Sequence, residues 1–236
     1  MRSIAHNLTR INAFIPYAPQ LGFFLSVTRF VQLAYLPTGQ REPLTESLVS
    51  AVCLWGSHLS KGTSINAFES RLLSKAIQDV STSLFLANSG DRGHAILGVI
   101  QAEVLLANYF FALGRFLEGK YHCSAAASLA ITCRLNTLGL PLAADARAGL
   151  GMGLVRGSYA GFAAASADDS VDQGERVNAF WAVYVLDKCW SVALGSPSSI
   201  SESSTSSTRI STPWPLTMAQ YEKVRCIVTI TPDCSE

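Results

Sequence analysis

Along most of the chain apolar residues recur at three- and four-residue intervals, while the two-residue alternation of a half-buried strand is almost absent. Residues 21–36 place Phe23, Phe24, Val27, Phe30, Val31 and Ala34 on one side, which predicts a helix ended by Pro37-Thr38-Gly39. Pro43 suits the first turn of a second helix, whose apolar face includes Leu48, Val52, Trp55 and Leu59. A third is expected over 64–88, with Asn66 as its cap and Phe68, Leu72, Ala76, Val80 and Leu84 in register. The centre of the chain reads as a helical hairpin. Its first arm, 92–113, turns Ile96, Val99, Ile100, Val104, Ala107, Phe110 and Phe111 inward. The connection 114–119 is short, so the second arm, 120–135, folds back antiparallel, and its small residues Ala125, Ala126, Ala127 and Ala130 let the two backbones approach closely.

The densest pattern lies in 176–200, where Val177, Phe180, Trp181, Tyr184 and Val185 are joined by Val183, Leu186, Trp190 and Leu194. That covers more than one helical face and predicts burial on most sides, up to a stop at Gly195-Ser196-Pro197. Asp187 sits inside this pattern, and an acid there is costly unless it is paired. The positions three and four away hold Val183, Tyr184, Trp190 and Ser191, and the adjacent Lys188 points in a different direction. Its partner is therefore remote, or is the backbone N–H groups of the turn 195–200. Asp187 is expected to fasten the helix to a loop or a neighbouring helix and to do no chemistry.

Between hairpin and helix, residues 137–173 are rich in Gly and Ala with little periodicity, and are expected to form a flexible insertion. The serine-threonine run 201–207 reads as a solvated loop, Trp214-Pro215 as a renewed anchor, 218–224 as a short helix, and 226–236 as an unpacked tail. Together these elements predict an all-α fold. It is an irregular helical bundle around a central antiparallel hairpin, with one domain over 15–225.

Composition narrows the function. The formal net charge of the 236 residues is +1, from 18 basic and 17 acidic residues, so no global field favours nucleic acid or an anionic membrane. The oiliest run, 95–114, contains Gln101, Glu103 and Asn108 and reads as a buried helix, not a membrane span. Pro16 and Pro19 interrupt the apolar run that would otherwise suggest a secretory leader. Six cysteines and four histidines are dispersed without ligand spacing, as expected of reduced thiols and no metal site.

Three motifs imitate catalytic ones. Asp168-Asp169-Ser170-Val171-Asp172 has the spacing of a prenyl-chain enzyme's magnesium motif, but no second acidic cluster accompanies it, and it reads better as an acidic helix start. Gly149, Gly151, Gly153 and Gly157 lack the preceding strand of a dinucleotide loop, and Gly157-Ser158 lacks the spacing of a nucleophile elbow. No catalytic constellation is present, and the chain is not expected to be an enzyme.

Arg176, Phe180-Trp181, Val183-Tyr184, Leu186-Asp187-Lys188, Ser191, Leu194-Gly195, Pro197 and Ile200 together resemble the signature of the fungal-specific transcription factor regulatory domain, the middle homology region of fungal zinc-binuclear-cluster transcription factors. The hairpin, with Gly114-Arg115 and Tyr121, and the segment AVCLWGSHLS before it are similar to that family's central pair. Lys188 stands where the family usually has Arg, and Ser196 where it has another Arg. Glu202, Trp214 and Pro215 correspond to the later part of the pattern.

The resemblance implies a nuclear transcription regulator with Arg176, Trp181, Tyr184, Asp187, Gly195 and Pro197 as a structural signature. DNA and zinc belong to the family's six-cysteine module, which is not among these residues, so the domain is expected to be a truncated form. Regulatory proteins or a small effector are the partners implied. The alternatives are a helical protein-interaction module that binds no DNA and, more remotely, an all-α prenyl-type enzyme using residues 168–172.

Overall fold

The helix at the centre of the molecule is the most apolar of those described. Gly93–Ala112 is apolar nearly all round, and a helix of that kind is stable only where neighbours cover every side. In the computed structural model, which describes residues 2–36, 43–61, 67–87, 93–138, 170–201 and 209–228, it is covered in that way. The described helices are α1 (Arg2–Phe14), α2 (Val27–Ala34), α3 (Pro43–Lys61), α4 (Ala67–Ala87), α5 (Gly93–Ala112), α6 (Phe116–Thr132), α7 (Ser170–Leu194) and α8 (Met218–Val228). No strand occurs among the described residues. The expected helix end at Pro37-Thr38-Gly39, the Asn66 cap, the glycine motifs at 149–161, Asp168, Asp169, nearly all of the Gly/Ala-rich segment, Glu202 with the serine run, and the tail from 229 lie outside the described residues.

Helices α3, α4, α6 and α7 pack around α5. Val99, Ile100, Val104, Leu105 and Leu106 are each at most 1% exposed, and burial of a side chain of this size contributes about 1.5–3 kcal/mol. Gln101 and Glu103 of α5 are buried as well. Glu103 meets His122 of α6 at 2.6 Å, and the Trp55 indole of α3 donates to the Leu105 carbonyl at 2.8 Å. The hairpin of α5 and α6 is present, but α6 begins at Phe116, earlier than the expected 120, because Leu113–Arg115 suffice for the reversal.

Two expectations fail. The predicted helix over 21–36 is broken: a 3-10 helix, Ile15–Leu21, holds Pro16 and Pro19, and Gly22 closes it at φ +73°, a left-handed conformation that stops helical propagation. The chain then runs non-helically to Ser26, and three of its backbone groups bond to side chains of α5. Phe24 N donates to Gln101 Oε1 at 2.6 Å, Gln101 Nε2 to the Gly22 carbonyl at 3.1 Å, and Asn108 Nδ2 to the Leu21 carbonyl at 3.0 Å. Only at Val27, capped by the Ser26 hydroxyl, does α2 begin. Upstream, α1 was not anticipated; it buries Ile11 and Phe14 and packs on α3.

The second failure concerns α7. It is not buried on most sides. One face, with Val177, Ala179, Phe180, Val183, Leu186 and Asp187, is buried, while Val185 is 55% and Val192 84% exposed. The short helix expected over 218–224 extends as α8 to Val228, which takes in the first residues of the expected tail.

Candidate functional site

The acid singled out from the sequence lies at a junction of α6, α7 and the loop that follows α7. Helix α7 stops because Gly195 turns left-handed at φ +60°: its N–H bonds the Val192 carbonyl at 3.3 Å and Ser196 N–H the Ser191 carbonyl at 3.0 Å. This paired closure satisfies the last carbonyls and sends the chain back along its own helix. Pro197 cannot resume the helix, and the loop lays Ser198, Ser199 and Ile200 over Asp187.

Asp187 is fully buried. Its Oδ1 accepts from Ser199 N at 3.0 Å and from Lys120 Nζ at 3.3 Å; its Oδ2 accepts from Ile200 N at 2.9 Å and from the Ser198 hydroxyl at 2.5 Å. Lys120 comes from α6, and its ammonium also donates to Ser191 Oγ at 3.0 Å and to the Pro197 carbonyl at 3.3 Å. The neighbouring Lys188 donates to the Ile200 carbonyl at 2.9 Å, and the Ile200 side chain is buried in the core. The carboxylate thus meets both kinds of partner left open by the sequence, a remote cation and the backbone of the turn.

Burial alone raises the pKa of Asp187, but the hydrogen bonds from Ser198, Ile200 and Ser199 and the charge of Lys120 outweigh it and hold the group below the ordinary value of 3.8. Four donors occupy its acceptor positions. The nearest thiol, Cys123 Sγ, is 4.0 Å away, and burial pushes it up to about 12, so it stays protonated. This arrangement can hold a loop; it leaves no lone pair free to take a proton from a substrate.

Of the six signature residues, Asp187, Gly195 and Pro197 meet here. Trp181 and Tyr184 lie one to two turns earlier. The Trp181 indole donates to the Pro213 carbonyl at 2.6 Å and stacks on Trp214 at 4.5 Å between centroids, so the expected anchor at Trp214 is a ring-on-ring contact. Tyr184 sits between Phe180, Trp181 and the ammonium of Lys188. Arg176, half-buried near the start of α7, is not brought to Asp187. Sequence reasoning missed Lys120, whose pairing across 67 residues has no local signal.

Three further carboxylates are buried and were not singled out as fasteners. Glu69 of α4 accepts from Tyr109 at 2.7 Å and meets His58 at 2.8 Å; Glu103 meets His122 on α6; Glu175 of α7 accepts from Ser26 N at 2.8 Å. Asp172, the one acid of the 168–172 motif that is described, pairs with Arg29 in the first turn of α7. No group of three or more side chains able to hold a metal occurs among the described residues. Cys53, Cys123 and Cys133 are buried and Cys189 is exposed, all as free thiols.

The family model described as the fungal specific transcription factor domain matches residues 14–216. No curated protein and no solved structure matches the chain.

Proposed function

The chain belongs to the fungal specific transcription factor domain family, and from that premise we propose that it is the rigid regulatory body of a fungal transcription factor, acting on an attached DNA-binding module in the nucleus without reading DNA itself. The family match carries this reading. The Asp187 junction supports it: a loop pinned to α7 by three hydrogen bonds to Asp187 and to α6 by the Lys120 bond to the Pro197 carbonyl is a firm surface through which a bound partner can act on the rest of the chain. A net charge of +1 offers no attraction for phosphates, so DNA contact and zinc are assigned to a separate module of the full-length form. No described helix is long and apolar enough to cross a membrane. Being a transcription factor domain and not an enzyme family, the matched family gives no reason to seek catalysis.

The test is a fusion to a heterologous DNA-binding domain with a reporter in fungal cells. The fusion is expected to shift reporter output relative to the DNA-binding domain alone, and Asp187→Ala to return it toward that baseline. An intact, nuclear fusion that leaves the reporter unmoved sinks the proposal. A protein-interaction module without any DNA link is the second reading, favoured by exposed apolar side chains at Leu117, Val185 and Val192.

A further inference from the structure

Helices α1 and α3 touch backbone to backbone at Gly56. At Gly56 a Cβ atom would lie 2.0 Å from the Arg10 carbonyl oxygen, so only glycine allows this contact. On the same face of α3, Cys53, Ser50, Val49 and Glu46 succeed one another at helical spacing, and α4 presents Phe68, Leu72 and Lys75. The three helices enclose a wedge-shaped cleft of about 390 Å³ with an apolar floor of Val49, Cys53, Phe68 and Leu72. A cleft of this volume lies at the lower end of those that hold small organic molecules.

One wall carries a positioned cation. The Gly56 contact fixes the Arg10 backbone, and the Arg10 guanidinium lies 4.5 Å over the Phe68 ring while Nη1 donates to Asn7 Oδ1 at 3.1 Å. Arg10 has no carboxylate partner among the described residues, and its remaining N–H donors are uncommitted. Lys75 is occupied by Asp79 at 2.5 Å, and Asp79 also accepts from Ser50. With Lys75 taken by Asp79, Arg10 is left to meet one negative charge on an occupant. We propose that this cleft binds a small organic anion with a single negative charge on an apolar body, the charge taken by Arg10 and the body by the floor. Most of α1, Arg10 included, precedes the matched span 14–216. The site rests on cleft geometry and stands or falls independently of the transcriptional reading.

Two fluorescent probes with nearly the same aromatic body test it: anilinonaphthalene sulfonate, which carries one negative charge, and neutral N-phenylnaphthylamine. The full chain is expected to bind the sulfonate saturably with one site per chain. Arg10→Gln weakens the sulfonate by about tenfold, the value of one charge-assisted contact, and leaves the neutral probe within about twofold. Arg10→Lys, which keeps the charge and loses the fork, falls between. Leu72→Trp fills the floor and expels both probes, with folding checked by circular dichroism. If that variant does not fold, Lys75→Glu at the exposed rim serves instead, weakening the sulfonate and sparing the neutral probe. Equal losses of both probes in Arg10→Gln, or sulfonate binding indifferent to Arg10 and to the second variant, overturn the proposal.

Discussion

Replacing Asp187 by alanine removes one acceptor group from four donors, and the donors differ in what they can do next. The Ser198 hydroxyl has the Ile200 carbonyl at 2.9 Å as an alternative. Lys120 keeps Ser191 Oγ and the Pro197 carbonyl, and its side chain, 21% exposed, retains some water. Ser199 is an exposed residue, and its N–H can recruit solvent. Ile200 N–H is buried beneath its own side chain and is stranded. One fully stranded buried donor and one partly compensated donor together cost about 2–4 kcal/mol. For a chain of 236 residues that is a fall in melting temperature of roughly 5–15 °C. Asp187→Asn keeps one acceptor oxygen but turns an NH₂ group toward the remaining donors, so its loss is smaller. Lys120→Met removes one partly solvated donor and leaves three, at about 1 kcal/mol. Thermal and urea unfolding followed by circular dichroism should rank the losses as Asp187→Ala, then Asp187→Asn, then Lys120→Met, with an unchanged urea slope. A melting temperature for Asp187→Ala within about 2 °C of the parent refutes the fastening role.

The depressed pKa of Asp187 makes its contribution fully present above the ordinary aspartate value of 3.8 and lost as pH falls through the lower folded value. The stability gap between parent and Asp187→Asn, measured by melting against pH, should therefore be flat from neutrality down to about pH 5 and close below it; a gap that closes near neutrality instead contradicts the assignment. Gly195→Ala meets no atom within 4 Å, so its cost is the left-handed backbone alone, about 1–2 kcal/mol, and Gly195→Asn should recover part of it in the same melts. Gly56→Ala presses a Cβ against the Arg10 backbone, which cannot rotate away, and should destabilise by about 3 kcal/mol while loosening α1. Limited trypsin digestion should then cut after Arg10 faster than in the parent; unchanged digestion would mean that α1 accommodates the methyl group.

How far the fold could be read in advance depended on whether the deciding contact was local. Helices α3 to α7 follow from periodicity, and the Gly195 stop from a turn chemistry confined to neighbours. The segment 21–26 does not, because its backbone bonds go to Gln101 and Asn108, some 77 to 87 residues away, and helix-like spacing of Phe23, Phe24 and Phe30 survives in a chain that is not helical. Misreading α7 as buried on most sides has a different cause. Trp181, Tyr184 and Trp190 count as apolar in any pattern, yet they are amphipathic rings that sit half-buried, and Trp181 turns its N–H to the Pro213 carbonyl. The buried acids show the same dependence on separation. Glu69 finds His58 at 11 residues and Glu103 finds His122 at 19, whereas Asp187 reaches Lys120 across 67 and Glu175 reaches Ser26 across 149. An unpaired acid within an apolar pattern declares that a partner exists, since burial without one is too costly. Which residue answers it is decided by the packing of α6 against α7, and that packing is specified by side chains distributed over the whole core.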